Sequence, residues 1–318
     1  MQAFFLAALL ALHPAAVASY DTTPAWAPDG RHIAFLRARP TASTGQYSVF
    51  VVRPDGRGLR RVGPVTDEAP AWSPDGRTLA IVRPLEGDRT SIVLARTDRG
   101  TVAQLARGRY PAWSRDGRRI AFVSGSGIAV VDVRSRRVRQ IRMKLPYPGS
   151  PSWLAGPPAW SPDGTRLAFF FDRVVGVVPV GGGAVRVLGT GHAPAWSPDG
   201  SSIAVACDPG SLVWFTSPAG PRRDCPGGPL VYSTGPPRWS TDGARIVVAG
   251  CAMGSDCTIW TQERGDTRKQ NLTSGVGPSW SPTGRSIVFA RAAGTDAPFH
   301  LYVMAADGTN VRPLAPRP

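Results

Sequence analysis

One phrase returns seven times along the chain. Pro-Ala-Trp-Ser-Pro-Asp-Gly, or a close variant, surrounds Trp26, Trp72, Trp113, Trp160, Trp196, Trp239 and Trp280, at intervals of 36 to 47 residues. A period of about 40 to 45 residues is the length of one four-stranded propeller blade. Inside each unit a strand ends at the tryptophan, and Ser-Pro-Asp-Gly supplies a tight turn in which proline sets φ and glycine accepts a positive one. A second strand follows at once, as in Ile33-Ala-Phe35 and Ile120-Ala-Phe122. A third comes later, as in Tyr47 to Val52 and Leu301 to Met304, and Asp55-Gly56 or Asp307-Gly308 turns the chain into a fourth. These segments are too short and too β-branched for helices.

The expected fold is therefore all-β, a seven-bladed β-propeller of four-stranded antiparallel blades. A lone meander cannot bury both faces, whereas meanders stacked in a ring can, and closure protects the sheet edges. The seven repeat tryptophans are expected to wedge between adjacent blades as structural residues and to donate their indole N–H groups. Closure by simple packing and closure through a shared blade are both open at this stage.

Residues 1–18 read as a secretory signal: an apolar run from Ala3 to Leu12, a break at Pro14 and small residues up to Ala18. The propeller would then occupy 19–318. No later segment is long and apolar enough to span a bilayer. With 36 glycines and 32 prolines the chain is rich in turns, yet 42% hydrophobic residues supply a core, so global disorder is excluded. Export makes disulfides the expected state of Cys207, Cys225, Cys251 and Cys257. Cys251 and Cys257 flank a short loop, which leaves Cys207 for Cys225, and no C-x-x-C pattern favours zinc. The net charge of +15 is carried by arginines scattered through every repeat, with no nucleic-acid motif, so no specific nucleic-acid partner is expected, while polyanions stay open.

The phrase P-A-W-S-P-D-G-x-x-I-A-F, joined to Leu301-Tyr-Val-Met304 and Asp307-Gly-Thr-Asn-Val-Arg-Pro-Leu314, resembles the WD-like repeat of the TolB-like propeller family. The resemblance implies a secreted or periplasmic propeller that binds other proteins. Similar repeats accompany the hydrolase of prolyl-oligopeptidase-type peptidases, but no G-x-S-x-G elbow occurs in this sequence. They also occur in oligogalacturonate-lyase-like propellers, which use a histidine-bound metal. Here His32, His192 and His300 sit at three different places in their repeats, so no metal, cofactor or catalytic residue is assigned. The repeated turn aspartates, Asp29 to Asp242, are expected to cap backbone N–H groups.

Loops escape the packing demands that fix strands, so a site is expected there. The connections entering the first strands should emerge together at one end of the ring. They carry Asp67, Glu68, Arg109, Tyr110, Tyr147, Trp153, His192 and Tyr232, the candidate partner-binding residues. The expected function is that of an exported, non-catalytic, monomeric scaffold binding a protein or cell-envelope component. The alternative is an enzyme of lyase, lactonase or glycan-cleaving type, with a small-molecule site over the central channel.

Overall fold

The computed structural model describes residues 20–38, 47–87, 89–100, 102–145, 156–207, 212–225, 231–233, 235–252, 256–292, 294 and 297–315. Seven antiparallel sheets follow one another along this chain. Blade 1 comprises Asp21–Trp26, Ile33–Ala38, Tyr47–Val52 and Arg60–Thr66, and blade 2 Ala71–Trp72, Thr78–Pro84, Thr90–Arg96 and Val102–Arg107. Blade 3 begins at Arg109–Trp113, blade 4 at Ala159–Trp160 and blade 5 at His192–Trp196. In blade 6 the first strand is split into Val231–Ser233 and Arg238–Trp239, both paired with Arg245–Ala252. Blade 7 runs from Val276–Trp280 to Arg312–Pro313. The first strands of neighbouring blades touch around the ring, so they line its axis.

Each Ser-Pro-Asp-Gly turn is built the same way. In blade 2 the Ser73 hydroxyl donates to Asp75 Oδ1 at 2.6 Å, the same oxygen accepts the Arg77 N–H at 3.0 Å, and Gly76 N–H donates to Ser73 O at 2.9 Å. Gly76 has φ of +68°, which a Cβ would strain. These bonds hold Asp75, Asp116, Asp163, Asp199 and Asp242 below the ordinary carboxylate range: Asp163 is pulled down to about 2, first by the hydrogen bond from Ser161. The repeated carboxylates thus act as caps within their own turns.

Packing between blades forms the core. Seven hydrophobic clusters of the described residues coincide with the seven interfaces between consecutive blades. The seam between the last blade and the first is one of them: Ile33, Phe35 and Val52 meet Val288, Leu301 and Leu314. Among the described residues no strand of blade 1 joins the sheet of blade 7, and the seam between the two blades is held by side-chain packing.

The tryptophans tie these interfaces together. From Trp72 to Trp280, six indole N–H groups each donate to the carbonyl of the residue before the tryptophan in the preceding blade, at 2.9–3.1 Å. Trp26, at the seam, differs. Its indole faces Gly30 O of its own turn at 3.3 Å, and its backbone N–H reaches Ser279 Oγ of blade 7 at 3.1 Å. Arg119, Arg166 and Arg245 share one place in the repeat and lie over the rings of Trp160, Trp196 and Trp280, at 4.8, 5.0 and 5.5 Å. Part of the arginine excess therefore covers aromatic faces, a cation–π contact.

Blade 5 departs from four strands. Among the described residues its sheet holds His192–Trp196, Ile203–Cys207 and Leu212–Thr216 only. The following segment contains Pro218 and Pro221, which cannot donate to a ladder. It turns instead toward blade 4, where Arg223 N–H donates to Leu188 O at 2.8 Å. The disulfide Cys207–Cys225 pins it there, and Cys251–Cys257 closes the loop between the second and third strands of blade 6. The leader, residues 1–18, lies outside the described residues.

Candidate partner-binding rim

The chain enters each first strand at the same end of the ring as it leaves each second strand, because strands alternate in direction. The Ser-Pro-Asp-Gly turns occupy the opposite end. Both disulfides fall on the entry end: Cys207 closes the second strand of blade 5, and Cys251 and Cys257 lie where blade 6 turns between its second and third strands. Each bridge thus closes a segment of its own blade on this face, one in blade 5 and one in blade 6.

Four candidates meet between blades 2 and 3. Arg109 Nε donates to Glu68 Oε1 at 2.5 Å, and its Nη2 to Asp67 Oδ2 at 2.7 Å. The other Glu68 oxygen accepts the Tyr110 backbone N–H at 2.8 Å. Glu68 N–H, in turn, donates to Thr66 Oγ1 at 3.1 Å. Glu68 is only 7% exposed, so it is a buried member of the network and Asp67 and Arg109 are its solvent-facing members. Burial pushes the Glu68 carboxyl up, against the downward pull of Arg109. Burial works to lower the pKa of Arg109, but the hydrogen bond and charge of Glu68 outweigh it and hold the guanidinium above arginine's ordinary range. Tyr110 takes φ of +55°, a left-handed conformation that a tyrosine enters only when its surroundings impose it. The bond from its N–H to Glu68 is one such restraint. Its ring lies beneath the Arg109 guanidinium at 5.7 Å.

His192 and Tyr232 lie apart from this network, on blades 5 and 6. His192 opens the first strand of blade 5 opposite Ala206, with its ring edge-on to Phe170 at 6.1 Å. Tyr232 lies in the outer part of the split blade 6 strand, opposite Cys251. Tyr147 and Trp153 fall outside the described residues. Among those residues no three His, Cys, Asp or Glu side chains come together as a metal site.

A second ion pair on this end was missed from the sequence. Asp21, 1% exposed at the start of blade 1, accepts Arg37 Nε at 2.6 Å and Nη2 at 2.9 Å. Burial raises the Asp21 pKa, and Arg37 lowers it. A regular register set by Trp26 opposite Ile33 would put Asp21 opposite Ala38; a β-bulge between Thr22 and Ala25 shifts it by one residue and brings Asp21 opposite Arg37, which the sequence did not signal. The guanidinium also sits over Phe35 and Phe50, at 5.3 and 5.1 Å.

The fold and this rim define a seven-bladed β-propeller with a charged face that also carries both disulfides. Solved structures share that fold. TolB from Acinetobacter baumannii aligns with a TM-score of 0.52 and 20% identity over 94% of this chain, and this chain spans 64% of that one. The β-propeller domain of the trilobed protease from Pyrococcus furiosus, described as having an open velcro topology, aligns with a TM-score of 0.62 and 12% identity over 93% of this chain and 95% of that one. Oligogalacturonate lyase from Vibrio parahaemolyticus aligns with a TM-score of 0.58 and 13% identity over 94% and 85%. No protein-family model matches the chain, and neither does any curated protein.

Proposed function

We propose that the chain is an exported propeller scaffold that holds a protein or cell-envelope partner on the loop end of its ring and performs no chemistry of its own. The observation that carries this reading is the network of Asp67, Glu68, Arg109 and Tyr110. It sets charged groups of two blades in one fixed arrangement at the mouth of the ring, with Asp67 and Arg109 partly exposed. Groups held in place before binding lose little entropy on binding, which suits recognition. Two disulfides on the same face support an oxidising, extracytoplasmic location. The fold is shared by TolB and by a lyase alike, so the rim and not the fold separates scaffold from enzyme.

The test is charge reversal at Asp67, since removing Glu68 would strand Arg109 and the Tyr110 N–H and disturb folding. A partner recovered from envelope extract with the wild-type chain is expected to bind Asp67→Arg at least about tenfold more weakly, the loss of one charge-assisted contact. The thermal midpoint is expected to fall by a few degrees, because the new guanidinium faces Arg109 in place of its ion-pair partner, with the chain still folded at the temperature of the binding measurement. Equal dissociation constants for the two proteins would reject the rim as the binding face.

A further inference from the structure

Arginines occur in every repeat, but blade 3 gathers them on its outer edge. Arg134, Arg136, Arg137, Arg139, Arg142 and Lys144 follow one another there, and every one of them is exposed. No Asp or Glu follows Asp132 until Asp163. The Asp132 carboxylate is taken up by its own turn, where Oδ1 accepts the Ser135 N–H at 2.7 Å and the Ser135 hydroxyl at 2.8 Å. The outer strands of the flanking blades, Val102–Arg107 and Arg186–Thr190, carry no acid either. Among the described residues, none of these basic side chains forms an ion pair.

The backbone fixes the row at both ends. Val138–Gln140 is the outermost strand of blade 3, paired with Gly127–Asp132. Met143–Lys144 crosses to blade 4 and pairs in parallel with Gly183–Ala184. Between them Arg139 donates to Val180 O and Gly181 O of blade 4, at 2.5 and 3.3 Å. A basic ridge therefore runs along the outer wall from one blade to the next, roughly 20 Å from Val138 to Lys144 at the rise of an extended chain. Positive charge guards a sheet edge against pairing with another chain, but the outer strands of blades 1, 2, 4, 6 and 7 manage with one or two basic residues each. Like charges held side by side repel, and a ligand that neutralises several at once relieves them all.

We propose that this ridge binds a linear acidic polysaccharide, its arginines each taking a sulfate or carboxylate group along the chain. The planar fork of a guanidinium suits both groups, and a backbone ordered beforehand keeps the entropy cost of binding low. Residues 134–144 include no aromatic side chain on which a nucleic-acid base could stack. Val138 is the one large apolar side chain exposed on them, so they offer no apolar face to a lipid surface. The ridge lies on the outer wall and binds whether or not the rim holds a partner.

Heparin is the probe. Its binding is followed by anisotropy of the labelled polysaccharide over a range of salt concentrations, for wild type and two triple variants. Arg134→Ala/Arg137→Ala/Arg142→Ala removes three ridge side chains that form no hydrogen bond among the described residues. Arg57→Ala/Arg99→Ala/Arg312→Ala removes the same charge from exposed places on blades 1, 2 and 7. Both variants should melt close to wild type, as exposed substitutions do. The control is expected to bind like wild type, whereas the ridge variant should bind at least about tenfold more weakly and with a shallower dependence on salt, having fewer charges to neutralise. Equal weakening in the two variants would assign the binding to the diffuse net charge of +15 and overturn the proposal. Wild type that ignores heparin, or that binds duplex DNA more tightly through the same three arginines, would overturn it as well.

Discussion

Trp196→Ala is expected to destabilise the whole ring by about 3–5 kcal/mol, the range for truncating a large buried aromatic side chain. The indole is 8% exposed and belongs to the cluster joining blades 4 and 5, with Leu188, Val205 and Trp214. Its removal leaves a void that two rigid sheets cannot close, orphans Ala159 O, and uncovers the stem of Arg166. Trp196→Phe keeps much of the apolar contact and loses the hydrogen bond, so its expected loss is nearer 1–2 kcal/mol. Denaturant midpoints of the two variants measure the difference. Unchanged midpoints for both would mean that the repeat tryptophans serve a ligand and not the fold.

Breaking Cys207–Cys225 is the second large effect. The bridge spans a sequence separation of 18, and releasing a loop of that size is expected to lower stability by about 3 kcal/mol on chain-entropy grounds. More than loop closure is at stake, because the bridge holds the segment that takes the place of a fourth strand in blade 5. Cys225 N–H donates to Thr190 Oγ1 at 2.7 Å, and Thr190 N–H to Asp224 Oδ1 at 2.9 Å, joining this segment to blade 4. The double variant Cys207→Ser/Cys225→Ser should therefore melt below wild type and expose the edge of Leu212–Thr216 to hydrogen exchange. Cys251–Cys257 closes a separation of only 6, and its loss should lower stability by about 2 kcal/mol. If the double variant melts with wild type, the segment is held by its hydrogen bonds alone.

The repeat made the blades legible because its information is local. A tryptophan, a proline-glycine turn and a β-branched run specify one hairpin each, and copying the hairpin specifies the ring. What stayed hidden depends on how hairpins face one another. The sequence marks Glu68 as a loop carboxylate, and only the approach of blade 3 buries it beneath Arg109 and Tyr110. Asp21 and Arg37 are 16 residues apart and meet through strand register. The missing strand of blade 5 follows from two prolines and a disulfide acting together, and the split in blade 6 leaves the spacing of its tryptophan unchanged.

The central claim is that each blade is held by its neighbours through the tryptophan relay, and indole hydrogen exchange followed by NMR tests it most directly. The indole protons of Trp72, Trp113, Trp160, Trp196, Trp239 and Trp280 should persist in heavy water and vanish together, at a rate that tracks global unfolding. Trp26, bonded within its own turn, should exchange apart from them. Six indoles that exchange at once, or each at its own unrelated rate, would contradict a ring whose blades stand or fall as one.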